Sequence, residues 1–141
     1  MTNEASIEEL LQCVGFRLRR ATRKVSQIYD QALQPLDLTG AQFSLLAHLP
    51  RGRQVPVGQL ADELGTEAST LTRNLRPLER RGLLSLVEAP YDRRVKLVLS
   101  TKAGQELLAK AVPAWRSARA KLEQSVGPAA FERLRQTLDQ L

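Results

Sequence analysis

Residues 56–82 read PVGQLADELGTEASTLTRNLRPLERRG, and the fold follows from how this stretch divides. Leu60, Ala61 and Leu64 fall on one face of a short helix, 58–64. Gly65 closes it, because glycine accepts the left-handed conformation that ends helices. Thr66 is the expected cap of a second helix, 67–81, and Gly82 closes that one in the same way. Ala68, Leu71, Leu75 and Leu78 recur at steps of three, four and three, so they form its inward stripe. Ala61 is small where the two helices must approach closely. A short helix, a tight turn and a second helix with a polar outer side make a helix-turn-helix.

The outer side of the second helix carries Ser69, Thr72, Arg73, Arg76 and Arg80, with Thr70 at the flank. Short hydroxyls near a helix start approach base edges and phosphates closely, and arginine reaches guanine edges or phosphates from farther away. Two β segments follow, 83–88 and 95–99. Between them lies APYDRR, 89–94, a turn-forming and basic stretch. A basic hairpin directly after such a helix is a wing. It puts Arg93, Arg94 and Lys96 at its tip or just beyond, within reach of a minor groove or phosphates. Between Thr66 and Lys96 there are seven basic and four acidic residues.

Outward from this unit the pattern becomes helical on both sides. Ile7, Leu11, Val14, Leu18, Ala21, Val25, Ile28 and Ala32 alternate steps of four and three, which is a heptad seam along one helix, 6–34, ended by Pro35. A helix this long is not covered by so small a domain, so it is expected to pack partly against a second chain. A helix over 40–49 is capped by Thr39, with Phe43, Leu46 and Ala47 inward. After the wing, Ser100 or Thr101 caps a long helix to about Val126, with Pro113 as a point of interruption. Gly127 and Pro128 break it, and Phe131, Leu134, Leu138 and Leu141 mark a last helix. The expected fold is therefore mainly α with a small β-hairpin wing. A winged helix-turn-helix occupies 38–100, and a helical dimerisation region is formed by 1–37 and 101–141, within one continuous domain.

Composition narrows the function. The chain has 141 residues, 43% hydrophobic and 26% charged, which suits one soluble domain. Its formal charge of +6 makes nucleic acid or another polyanion the first partner to test. One cysteine builds no disulfide within the chain, and one histidine builds no zinc site with it. No apolar run approaches the ~20 residues of a membrane span, so no membrane partner is expected. Met1–Glu9 is acidic and lacks an export signal, so the expected location is cytoplasmic. Aromatics are only 4%, too few for the stacking platforms of single-strand binders. No Ser-His-Asp order, carboxylate pair or glycine-rich phosphate loop points to an enzyme, and no cofactor is expected.

Leu60-Ala61-Asp62-Glu63-Leu64-Gly65, Leu71-Thr72-Arg73, Leu78-Glu79-Arg80-Arg81-Gly82-Leu83, Asp92-Arg93-Arg94 and Leu99-Ser100 resemble the MarR family of bacterial regulators. The wing motif of that family is Asp, any residue, Arg, and later a Leu-Thr or Leu-Ser pair, which Asp92, Arg94, Leu99 and Ser100 match. The resemblance covers nearly the whole chain. It implies a homodimer in which each recognition helix enters a major groove of a palindromic double-stranded operator and each wing approaches the adjacent minor groove. By position, Ser69, Thr70, Thr72, Arg73 and Arg76 would face the major groove and Arg94 would be the wing-tip contact. Asp92 would hold Arg94 by an ion pair, since a carboxylate near phosphate is repelled. Leu11, Val14, Leu18, Leu134 and Leu138 would lie in the dimer seam. Two features depart from the family pattern. Pro77 stands inside the recognition helix, where it should delete a backbone hydrogen bond and bend it. Leu84, Ser85 and Leu86 replace the usual Val-Glu-Arg.

The expected function is that of a dimeric, sequence-specific transcriptional regulator, a ligand-responsive repressor. Relatives respond to small phenolic or aromatic anions, and Arg17 and Arg20 in the helical base supply charge that attracts them. A ligand lodged between base and reader would change the separation of the two recognition helices. Cys13 is the candidate for an alternative, redox-sensing mode. It precedes Arg17 and Arg20 by one and two turns, and nearby cations favour a thiolate, while Glu9 opposes them. Another alternative is a winged-helix module that binds protein. His48, near a helix end and without ligand-spaced neighbours, reads as a structural residue.

Overall fold

The structure is a computed structural model that describes residues 6–141. Met1–Glu9 therefore lies partly outside the described residues. The elements run α1 (Ile7–Leu11), α2 (Val14–Leu33), a 3-10 turn (Gln34–Leu36), α3 (Gly40–Ala47), β1 (Val55–Pro56), α4 (Val57–Leu64), α5 (Ala68–Arg80), β2 (Leu84–Ala89), β3 (Asp92–Ser100), α6 (Lys102–Val126) and α7 (Pro128–Leu138). The strands form an antiparallel sheet in the order β1-β3-β2. No helix among the described residues is long and apolar enough to cross a membrane.

The helix-turn-helix forms as its glycines require. Gly65 takes φ 66°, and the amides of Gly65 and Thr66 reach back to the carbonyls of Asp62 and Ala61. Gly82 takes φ 72° and repeats the motif, with its own amide on Glu79 and that of Leu83 on Leu78. Both are Schellman ends, which spend amides on carbonyls the helix leaves open. Thr66 is consequently not the cap of α5: its amide finishes α4, and Glu67 takes the extended cap position without a side-chain bond. Ala68, the first residue of α5, is exposed rather than inward. The buried stripe begins at Leu71 and continues through Leu75 and Leu78. Pro77 does not interrupt α5, which runs on to Arg80. These leucines share one core with Leu60, Leu83, Leu84 and Val98.

Three other expectations are corrected. The long first helix is two helices. Gln12 ends α1, and Cys13 turns extended (φ −53°, ψ 125°) and becomes the N-cap of α2. Gly15, a weak helix former, stands just beyond, and no residue of α1 is buried to hold a continuous helix straight. On α3 the capping box of Thr39 and Gln42 forms, but Ala47 is exposed and Leu45 is buried in its place beside Leu46. In the wing, the expected six-residue loop contracts to Pro90-Tyr91. Val55–Pro56 adds a third strand, paired as Val55 with Val98 and Pro56 with Leu97.

Thr101 caps α6, accepting from the Gly104 amide at 3.1 Å and donating to the Gly82 carbonyl at 2.6 Å. The helix then runs unbroken through Pro113 to Val126. Gly104 is buried against the turn that follows α5, and a Cβ there would collide with the Leu83 carbonyl oxygen. Both partners of that contact are backbone, so neither can yield cheaply. Gly104→Ala is therefore expected to cost about 1–3 kcal/mol of stability. Urea unfolding checks it, and a midpoint equal to that of the wild type would show that the helix start can slide.

Candidate nucleic-acid interface

The face of α5 opposite Leu71, Leu75 and Leu78 is polar. Ser69, Arg73, Asn74, Arg76 and Arg80 are exposed, and Thr70 and Thr72 are half-buried at its edges. Thr72 is turned back on its own helix, donating to the Ala68 carbonyl at 2.8 Å. Arg73 Nη2 lies 3.5 Å from Thr70 Oγ1, at the long limit of a hydrogen bond. Asn74, which the sequence reading passed over, shares the exposed turn with Arg73. The helical wheel places it one step from Arg73, and asparagine has the donor-acceptor pair that adenine presents.

The hairpin stands beside this helix. Thr72, Arg76 and Glu79 of α5, Leu86 of β2, Lys96 of β3 and Val57 of α4 line one cleft of about 330 Å3. The fold thus brings Thr72, Arg76 and Lys96 together. Leu86, one of the three residues that depart from the usual Val-Glu-Arg, supplies part of its apolar wall. Lys96 Nζ is 3.4 Å from Glu88 Oε1 across the strands, a surface pair worth little by itself.

The wing tip has a specific irregularity. From Leu84↔Ser100 to Glu88↔Lys96 the register is regular, but Ala89 pairs with Asp92. Arg93, Arg94 and Val95 are therefore extra residues on β3 with no counterpart on β2. Neither Pro90 nor Tyr91 has positive φ. Proline favours an unprimed turn, and unprimed turns splay hairpin strands, so the bulge restores the pairing beyond the tip. Arg93 and Arg94 are exposed on this bulge.

Arg94 is not loose. The Asp92 carboxylate accepts from its backbone amide at 3.0 Å, its Nε at 3.1 Å and its Nη2 at 3.0 Å. The Arg94 side chain remains 90% exposed. The planar fork of arginine matches a carboxylate bidentately, so the arm is held in one direction without being covered. These bonds, first the side-chain ones and then the amide, hold the Asp92 carboxyl below its ordinary range.

The remaining singled-out residues lie elsewhere. Arg17 donates to Gln12 Oε1 at 2.9 Å across the α1-α2 break, and Arg20 is exposed on α2. Neither lines a cavity of about 590 Å3 in the helical base, between α2, α3 and the middle of α6, with Val25, Tyr29, Asp30, Phe43 and Trp115 among its walls. Phe43 and Trp115 stack there at 5.8 Å, and Arg119 lies 5.7 Å from the Trp115 ring. Burial pushes the Tyr29 phenol up, partly offset by Arg119. His48 is the C-cap of α3, with Nδ1 2.7 Å from the Ser44 carbonyl oxygen. Among the described residues no group of three His, Cys, Asp or Glu is placed to hold a metal ion.

The seam residues are bare in the single chain. Leu11 is 56% exposed and Val14 67%, while Leu134 and Leu138 stay nearly half exposed. Leu18 is half-buried. Ala21, Val25, Ile28, Phe131, Leu134 and Leu138 border an apolar groove of about 490 Å3 between α2 and α7.

Comparison with known proteins gives a consistent result. The sequence profile described as the MarR family matches residues 36–95. The transcriptional regulator MosR of M. tuberculosis, solved in complex with DNA, is 38% identical over 89% of this chain and 93% of its own, with a TM-score of 0.78. The transcriptional repressor CouR, bound to a 23-mer DNA duplex, is 28% identical over 97% of each chain, with a TM-score of 0.83. BpsR of Bordetella bronchiseptica, whose DNA binding is regulated by 6-hydroxynicotinic acid, is 26% identical over 92% of each chain, with a TM-score of 0.81.

The wing clamp gives a direct test. The Asp92 carboxyl is held low, so the pair persists through neutral pH and opens only as pH falls through its depressed value. NMR titration of the Asp92 carboxyl carbon should show a midpoint below that of ordinary aspartate, returning upward in Arg94→Ala. An identical midpoint in both proteins would mean that the clamp does not form in solution.

Proposed function

This chain belongs to the MarR family of transcriptional regulators, which are not enzymes, and from that premise we propose that it is a homodimeric, ligand-responsive repressor that binds a palindromic operator in the cytoplasm. Residues 38–100 form its DNA reader, and 1–37 with 101–141 form its dimerisation region. The observation that carries the reading is the Asp92-braced Arg94, mounted on the same hairpin that shares a cleft with the recognition helix. Ser69, Thr70, Arg73 and Arg76 read the major groove, with Thr72 buttressing the helix. Arg93, Arg94 and Lys96 meet the minor groove and its phosphates. The CouR complex supports repression by this fold.

The dimer is supported by the bare seam. Contiguous apolar surface of this kind on a small chain marks an interface. A second copy covering Leu11, Val14, Leu18, Leu134 and Leu138 mounts two readers on one base, and successive major grooves about 34 Å apart set their separation. The ligand is a small aromatic anion seated in the cavity of Tyr29, Phe43 and Trp115. The stacked rings suit an aromatic plane. The raised Tyr29 phenol stays a donor, and Arg119, rather than Arg17 or Arg20, supplies the nearby positive charge. The regulation of BpsR by 6-hydroxynicotinic acid supports this ligand class.

A second reading is favoured by the break between α1 and α2. It leaves Cys13 exposed at the N-cap of α2, where the backbone N–H groups of Phe16 and Gly15, with a smaller effect from Arg19, hold the thiol below its ordinary value. A lowered pKa raises the thiolate fraction at neutral pH, and the thiolate is the reactive form. Peroxide would then act on the dimer base through Cys13.

Three measurements test these readings. On a duplex recovered from random oligonucleotides, Arg73→Ala should weaken binding by about 1–3 kcal/mol, and Arg94→Ala should also reduce the salt slope by about one; unchanged affinity in both would remove the assigned interface. Light scattering should give twice the 15.7 kDa chain mass, falling towards it in Leu18→Glu and Leu138→Glu. A monomer that binds the palindrome tightly would sink the two-fold arrangement. Peroxide should release wild-type protein from DNA but not Cys13→Ser, and equal release from both would leave the cysteine a structural residue.

A further inference from the structure

We propose that Tyr91 is a specificity-determining contact of the wing. Its ring lies along the deoxyribose wall of the minor groove beside the Arg94 guanidinium, and its hydroxyl donates to the acceptor edge of an A·T pair. The inference rests on the DNA-binding reading above and goes beyond it in residue and in base preference.

Four observations place it there. Tyr91 is 72% exposed, whereas Phe16, the other aromatic among the large exposed hydrophobics, is 41% exposed. Phe43, Tyr29, Trp115 and Phe131 are half-buried in the helical base, so Tyr91 is the most exposed aromatic of the chain. It occupies the second position of the Pro90-Tyr91 turn that closes the hairpin. The ring fixed at φ of Pro90 on one side and the Asp92–Arg94 clamp on the other limit the backbone freedom of the tip, so presenting the phenol costs little ordering. Finally, the bulged arginines stand next to it, and a narrow A·T minor groove attracts arginine most strongly.

The chemistry of the groove then fixes the preference. Every A·T or T·A pair presents only acceptors in the minor groove, while G·C adds an amino donor there. A phenol hydroxyl donates to those acceptors over A·T, while over G·C the guanine amino group projects into the groove and holds the ring away from them. Apolar and aromatic side chains at groove-entering tips also pack against sugars, which carries no base information. Ring and hydroxyl thus make separable contributions: affinity from the first, base preference from the second.

The test uses the full-length protein and duplexes recovered from random oligonucleotides, each paired with a copy whose outer flanks are changed from A·T to G·C. Tyr91→Ala should bind the A·T-flanked duplex about 10-fold more weakly than wild type, the scale of one good contact. Its preference for the A·T flanks should fall to the part that Arg93 and Arg94 supply. Tyr91→Phe should keep most of the affinity and show that same reduced preference. Thermal midpoints equal to that of wild type confirm that the wing is folded, as an exposed position requires. If both variants bind and discriminate like wild type while Arg94→Ala weakens binding, the proposal for Tyr91 falls and the interface stands. If Tyr91→Phe keeps the full flank preference of wild type, the hydroxyl role falls. If Arg73→Ala and Arg94→Ala also bind as wild type, the interface falls and Tyr91 with it.

Discussion

The burial of Leu71, Leu75 and Leu78 is the constraint on which the rest depends. All three have essentially no solvent exposure, and each fully buried leucine is worth roughly 1.5–3 kcal/mol relative to water. Their stripe fixes the rotation of α5 about its own axis. That rotation alone decides that Ser69, Arg73 and Arg76 point away from the core. It also decides where the sheet can lie, because Leu84 and Val98 complete the same cluster. The chemistry of the outer face is set by arginines, but its direction is set by leucines that never meet a partner molecule.

Charge is handled in the opposite way. Among the described residues no charged or polar side chain is fully buried, and no buried side-chain polar atom lacks a partner. Ion pairs such as Arg53–Glu63 at 2.6 Å brace one element against another at the surface, where water moderates both their cost and their gain. Arg81 does the same between recognition helix and base, donating to the Asp37 carbonyl at 2.6 Å. Asp37 is there held at φ 53°, a conformation uncommon outside glycine. Apolar packing inside and a periphery of surface ion pairs together describe a scaffold that holds the polar face of α5 in one direction while leaving its cations at the surface.

Much of the architecture was legible in the sequence because it rests on local rules. Gly65 and Gly82 end helices for steric reasons, and Thr39 with Gln42 forms a capping box by spacing alone. The stripe from Leu71 to Leu78 follows helical period. The errors have one physical source: a local pattern was extended past the point where tertiary contacts support it. The heptad spacing from Ile7 to Ala32 is real, yet the chain breaks at Gln12-Cys13, where no residue of α1 is buried among the described residues. Ala68 and Ala47 fit helical stripes, but one opens α5 and the other closes α3, where the helix has left the core. Val55–Pro56 is too short to read as a strand and exists only because β3 offers it an edge. Of the interface, the residue types and their helix were readable. The three-residue bulge and the exposure of Tyr91 were not, because register depends on both strands at once.

The contact of Gly104 with Leu83 has a mechanical consequence. Thr101 bonds the carbonyls at the end of the recognition helix, and Gly104 leaves no room for slippage, so α5 and α6 are welded at one joint. The 25 residues of α6 make it a lever about 37 Å long. Turned about that joint by only about 5°, its far end, where α7 begins, would travel about 3 Å, on the order of two residues of helical rise. A small rotation at the joint would thereby become a displacement several times larger where α7 begins.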